Sequence, residues 1–206
     1  MQSNRIVMAA LLSMMALGAC KEENPPANSE DAGTGADAQA EGPSCGLPTG
    51  TYGATVGRTF RELELNECDG TPFTFYNEDF CSSTFTVVSI AAGWCQPCHA
   101  ETALLEEYLT QAYADRGVRV IQILIQDENY RVPTERFCNS WVNRYGLTNT
   151  QLLDPEQISN IYFPDNSLPS TIIVDRQGVI RFRENGVSDM LGNLTDKLDE
   201  LLAETE

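Results

Sequence analysis

Its 206 residues, 42% hydrophobic and 21% charged, suit one domain with an appendage and exclude a wholly disordered or collagen-like chain. Thirty Asp+Glu against thirteen Lys+Arg give a formal net charge of −17, which disfavours docking on nucleic acid or anionic lipid headgroups; no nucleic-acid partner is expected. No apolar run reaches the ~20 residues of a membrane-spanning helix, and seven cysteines suit an oxidising compartment.

Export accounts for the cysteines. Arg5, then the 12-residue apolar core Ile6–Leu17 and the small pair Gly18-Ala19, predict a signal peptide over 1–19. Leu17-Gly18-Ala19-Cys20 resembles the lipobox of bacterial lipoproteins, which implies lipidation of Cys20 and a membrane anchor through its acyl chains. A plain cleaved signal with a chance cysteine is the alternative. Lys21, where the best-known sorting systems read Asp as a retention signal, implies passage to the outer membrane, facing the periplasm. From Lys21 to Ser44 the chain carries no aromatic or branched aliphatic residue, so 20–44 is expected to be a lipidated cysteine and a disordered tether reaching ~25–30 Å.

A folded domain is expected over 45–206. Phe60–Asn66 and Pro72–Tyr76 flank Asp69-Gly70, a strong turn dipeptide, and predict an N-terminal β-hairpin. Phe85–Ala91 (FTVVSIA) reads as a central strand covered on both faces. Ala100, Leu104, Tyr108 and Ala112, widened by Leu105 and Leu109, make a helical stripe ending at Gly117. Val118–Ile125 is a second buried strand. Thr134 caps a helix through Tyr145, stopped by Gly146, with Phe137, Cys138, Trp141 and Tyr145 on one face. Asp154-Pro155-Glu156 reads as a helix start. Thr171–Val174 and Val179–Arg183 are strands joined by Asp175-Arg176-Gln177-Gly178, and Asp189 opens a last helix bearing Leu191, Leu194, Leu198, Leu201 and Leu202. Strands alternating with helices predict an α/β fold with a mixed central sheet flanked by helices.

The chemistry-bearing motif is Trp94-Cys95-Gln96-Pro97-Cys98, placed after the first central strand and at the start of the longest helix. A sulfur at a helix N-terminus meets unpaired backbone N–H groups and the positive end of the dipole, which favour thiolate over thiol. A bare C-x-x-C is also half a zinc site. There is no second such pair and only one histidine, His99, so no metal centre is expected.

With this motif, Cys68-Asp69-Gly70 and Leu168-Pro169-Ser170-Thr171 ahead of Asp175-Arg176-Gln177-Gly178, residues 57–204 resemble the TlpA-like (ResA-type) branch of the thioredoxin superfamily. The resemblance implies a thioredoxin-like fold with an extra N-terminal hairpin. It also implies a redox-active Cys95–Cys98 disulfide and no other cofactor. Pro169 is implied to be cis and to face that disulfide, with the backbone of Leu168 offered to a substrate strand; a plain strand-entry proline is the alternative. Glu101 is implied to exchange protons with the deeper Cys98, against the alternative of a solvated surface glutamate. Trp94 is implied to shield the site, whereas Trp141 reads as a core residue. Two positions depart from the family pattern. His99 replaces the usual Lys or Arg and is either a pH-sensitive neighbour of the thiolate or a merely exposed ring. Ala103 replaces a helix-kinking proline, which puts the usual bend in doubt.

Setting aside Cys20, Cys95 and Cys98 leaves Cys45, Cys68, Cys81 and Cys138, with three possible pairings. A five-residue strand spans ~17 Å, beyond the ~7 Å Cα reach of a disulfide, which separates Cys81 from Cys68. Cys45–Cys81 and Cys68–Cys138 are therefore the expected structural disulfides, with unpaired buried thiols as the alternative.

The function expected is a membrane-tethered, extracytoplasmic thiol–disulfide oxidoreductase acting on protein thiols or disulfides. The resemblance leans toward reduction and so implies an inner-membrane electron donor. Two alternatives stand: a copper-handling or redox-inert binding module on the same fold, and a peroxiredoxin-like peroxidase. The latter needs Pro and Thr ahead of its cysteine, where Ala91-Ala92-Gly93-Trp94 stands here.

Overall fold

Strand β3, Phe85–Ala91, is buried along its whole length because it lies mid-sheet with both faces covered. It runs parallel to β4 (Val118–Leu124) and antiparallel to β6 (Ser170–Asp175). The computed structural model describes residues 46–164, 167–186 and 191–205. The expected signal peptide, Cys20, the tether, Cys45 and Asp189 lie outside these residues.

Seven strands form one mixed sheet in the order β2-β1-β5-β4-β3-β6-β7, where β1 is Leu65–Glu67, β2 Pro72–Phe73, β5 Thr150–Leu153 and β7 Ile180–Asn185. The hairpin adds to the sheet by antiparallel pairing of β1 with β5. It is much shorter than the sequence suggests. Glu62 takes the N–H groups of Phe75 and Tyr76 on its carboxylate, while Phe60 N–H goes to the Gly178 carbonyl, so neither flank is free to extend the ladder. A short helix α1, Glu78–Ser82, follows with Asn77 as its cap; neither α1 nor β5 is among the elements expected from the sequence.

Alternate residues of β3 enter different cores. Phe85 and Val87 pack with Leu105, Leu109, Leu194, Leu198 and Leu201. Val88 and Ile90 belong instead to a cluster with Ile121, Ile123, Ile172 and a stack in which Phe60 lies between Phe75 and Tyr162, with centroids 4.5 and 4.4 Å away. The first core lies under α4, Gly192–Ala203, and under the long helix that follows β3. That helix is not one regular element to Gly117. Helix α2, Gln96–Leu105, passes into a π-helical segment, Glu106–Gln111. The wider turn keeps Leu105 and Leu109 buried while the Glu106 carboxylate accepts from Thr148 N (2.8 Å) and Oγ1 (2.6 Å).

Helix α3, Glu135–Tyr145, has the caps its sequence predicts: Thr134 Oγ1 accepts from Phe137 N, and Gly146 takes the left-handed conformation at φ 65°. Asp154 is a correction. It opens no α-helix; it accepts from Ile158 N, Ser159 N and Ser159 Oγ and so pins a 3₁₀ turn, Ile158–Tyr162.

Candidate active site

The chain leaves β3 at Ala91 and reaches α2 through Ala92-Gly93-Trp94. Gly93 is required by close approach: a Cβ there would lie 2.7 Å from Glu128 N and 2.8 Å from Asp127 C, both backbone atoms. Cys95 is the N-cap of α2, and its sulfur accepts from Cys98 N at 3.2 Å. Pro97 sits in the first turn, where a missing N–H leaves no helical bond unmade. Cys95 and Cys98 are joined as a disulfide, Cα atoms 5.2 Å apart. Cys95 keeps 3% exposure and Cys98 none, so Cys95 is the sulfur an incoming group meets first.

Glu101, one turn past Cys98, is no solvated surface residue. It is 2% exposed, with Ser89 Oγ donating to Oε1 at 2.6 Å and Thr171 Oγ1 lying 3.0 and 3.1 Å from its two oxygens. Burial pushes its carboxyl up to about 7 from an ordinary 4.5, against the lowering effect of those two hydroxyls. A carboxyl poised near neutrality can hold or give up a proton beside a thiol pair.

His99 is neither merely exposed nor free to turn. Its Nε2 lies 2.7 Å from the Gly93 carbonyl, which can only accept, so Nε2 carries the hydrogen and Nδ1 is left to accept from the Tyr145 hydroxyl. Its ring packs on Trp141 at 4.8 Å. Trp94 Nε1 donates to Gln126 Oε1 at 2.9 Å, and its ring stacks on Tyr130 at 4.9 Å. Tyr130 is 65% exposed at φ 61°, on a loop that Asp127 closes by accepting from Asn129 N, Arg131 N and Arg131 Nε. Trp94, Gln96, His99, Tyr130 and Arg144 line a pocket beside the motif.

The Leu168-Pro169 bond is cis. Leu168 belongs to the same core cluster as Cys95 and Cys98. Among the described residues neither its N–H nor its C=O has a backbone partner, whereas the next carbonyl, Pro169 O, accepts from Gly186 N at 2.7 Å.

Cys68, in the β1–β2 turn, is joined to Cys138 of α3 with Cα atoms 5.4 Å apart. Cys81 is also disulfide-bonded, and Cys45, the partner expected for it, lies outside the described residues. No group of three or more His, Cys, Asp or Glu among the described residues is placed to hold a metal ion.

Sequence reasoning missed Ser89, Gln122, Thr171 and Tyr130. Ser89 and Gln122 each interrupt an apolar run near the end of a buried strand, a signal that was available. That they meet Thr171 in one row is a matter of register, which no local pattern reports.

The Redoxin family model matches residues 55–198. Over 144 residues the chain is 28% identical to the thiol:disulfide interchange protein DsbE of Escherichia coli K12, spanning 68% of this chain and 70% of that protein. It is 29% identical over 89 residues to the thiol-disulfide oxidoreductase ResA of Geobacillus thermodenitrificans, 43% of this chain and 47% of that one. The solved structure of a secreted thiol-disulfide isomerase from Corynebacterium glutamicum has the same fold, with a TM-score of 0.58 at 18% identity over 78% of this chain and 95% of that one.

Proposed function

Because the chain belongs to the Redoxin family and is a thioredoxin-like thiol–disulfide oxidoreductase, we propose that it reduces disulfides of extracytoplasmic proteins from a lipid anchor at Cys20. The observation that carries the chemistry is Cys95 at the cap of α2, its sulfur on a backbone N–H and a buried carboxyl one turn beyond Cys98. In the reduced enzyme the Cys95 thiolate attacks one sulfur of a substrate disulfide, and the other leaves as a thiolate that takes up a proton. Cys98 gives its proton to Glu101 and attacks the Cys95 sulfur of the mixed disulfide. The substrate's second sulfur leaves as a thiolate and takes up the proton that Glu101 received, two electrons have passed to the substrate, and Cys95–Cys98 is restored.

The backbone of Leu168, without a backbone partner among the described residues, supports a short antiparallel pairing with the substrate chain. Trp94 and the Tyr130 ring stacked on it supply an apolar shelf for residues flanking the substrate cysteine. A dithiol donor, expected in the inner membrane, must return the electrons. Copper handling finds no comparable support, since the single histidine is engaged by the Gly93 carbonyl and Tyr145.

The direction is tested by equilibrating the Cys95/Cys98 couple with glutathione. A reductase is expected near the thioredoxin value of about −270 mV, and a potential at the oxidising end of the superfamily, about −120 mV, would overturn it. Cys98→Ser should accumulate trapped mixed disulfides and Cys95→Ser far fewer. Cys20→Ser should leave the membrane fraction at high salt; retention there would remove the anchor.

A further inference from the structure

We infer that Trp141 and Gln122 act through Ser89 as positioning residues for Glu101, fixing its Oε1 as a hydrogen-bond acceptor and confining its exchangeable proton to Oε2. This rests on the function proposed above for the use made of that proton, but not for its placement.

Gln122, Ser89 and Thr171 are paired residue to residue across β4, β3 and β6, so their side chains share one face of the sheet. All three are buried, as are Thr102 and Trp141, so each polar atom depends on its protein partner. An indole N–H can only donate. Trp141 Nε1 lies 2.8 Å from the Gln122 side-chain oxygen, which fixes the amide: Oε1 faces α3, and Nε2 faces the opposite way. From there Nε2 donates to Thr102 Oγ1 at 2.8 Å and, more weakly, toward Ser89 Oγ at 3.4 Å. With an N–H directed at its oxygen, Ser89 must aim its single hydrogen away from Gln122. The acceptor there is Glu101 Oε1 at 2.6 Å.

Oε1 thus always receives a proton from Ser89 and is a poor place to carry one of its own. The proton of neutral Glu101 sits on Oε2, where the Thr171 hydroxyl, which donates to the ionised carboxylate from 3.0 and 3.1 Å, can turn to accept it. The other group acting on Glu101 is Glu184 on β7, paired with Thr171, which raises its proton affinity through space. In the sheet order β4-β3-β6-β7 it lies across β6 from Ser89, opposite the β4 side that carries Gln122.

The experiment is a carboxyl ¹³C titration of Glu101 in the oxidised protein, where Cys95 and Cys98 do not titrate. Ser89→Ala removes a donor to the carboxylate and should raise the midpoint by about one pH unit, a tenfold change. Trp141→Phe keeps an aromatic ring at this position and removes the N–H together with part of the indole's volume. The Gln122 amide is then free to turn its oxygen to Ser89, drawing that hydrogen off Glu101, and the midpoint should rise similarly. Should Trp141→Phe not fold, Trp141→Leu, which also lacks the N–H and leaves the Gln122 amide free to turn, carries the same test. A midpoint unmoved by Trp141→Phe or Trp141→Leu while Ser89→Ala shifts it would overturn the inference. If the midpoint moves but the pH profile of Cys98 alkylation in a Cys95→Ser background does not, the wiring stands and the proposed proton exchange between Glu101 and Cys98 falls.

Discussion

Two disulfides lie at the starts of two helices, and their settings differ in which atom caps the helix. In α2 the cap is Cys95 itself, whose sulfur receives a backbone N–H; in α3 the cap is Thr134, whose hydroxyl receives Phe137 N, and Cys138 lies further in with no exposure. The first pair closes a loop of sequence separation 3, the second a loop of 70. The sulfur proposed to react thus differs from those of the second pair in position along the helix and in access, not in the bond.

The largest effect should fall on activity. Cys95→Ser should lower insulin-disulfide reduction about 10³-fold or more, while Cys68→Ser/Cys138→Ser retains most of it. If the second pair proves as necessary for turnover as the first, the contrast fails. Stability should show the reverse. Losing a crosslink of separation 70 should cost about 4 kcal/mol in urea unfolding, whereas the Cys95–Cys98 loop is too short to restrict the unfolded chain much.

Next in size is a pH dependence that belongs to the α2 site alone. Glu101 binds its proton at about 7 in the folded protein against 4.5 for the ordinary group, so between these values the folded state holds a proton that the unfolded chain has lost. Its contribution is fully present below pH 4.5 and is lost as pH rises through 7. The span from 4.5 to about 7, at ~1.4 kcal/mol per unit, corresponds to roughly 3 kcal/mol. Glu101→Gln should flatten that part of the stability profile, and an unchanged slope would place the buried charge elsewhere. The smallest effect sharpens the picture of access. Tyr130→Ala should raise KM for a protein disulfide by about 3–10-fold, on the scale of one lost aromatic contact, with kcat and turnover of a small disulfide unchanged. Equal loss on both substrates would make Tyr130 a support for Trp94 rather than part of a shelf.

Legibility tracked how local each determinant is. Phe85–Ala91 was readable because burial on both faces leaves a continuous apolar run, and α3 because Thr134 and Gly146 mark its ends. The motif cysteines are contiguous, and Glu101 follows at one helical turn. By contrast β5 has four residues and exists through its pairing with β1 and β4. The hairpin is shorter than its sequence suggests because the side chain of Glu62, within its own expected first strand, takes the N–H groups of Phe75 and Tyr76. The widening at Glu106 answers to Thr148, 42 residues on. His99 illustrates the same limit: its type was visible, but its tautomer depends on Gly93 and Tyr145.

The Cys68–Cys138 bond has a mechanical consequence. The ring it closes contains both motif cysteines, Glu101, Gln122 and Tyr130, but neither Leu168 nor Thr171. Tension applied between the chain ends bypasses that ring, so an intact bond withholds about 240 Å of contour length, the extended reach of 70 residues. Under pull, the segment carrying Pro169 can be drawn out while the backbone around Cys95 bears no load.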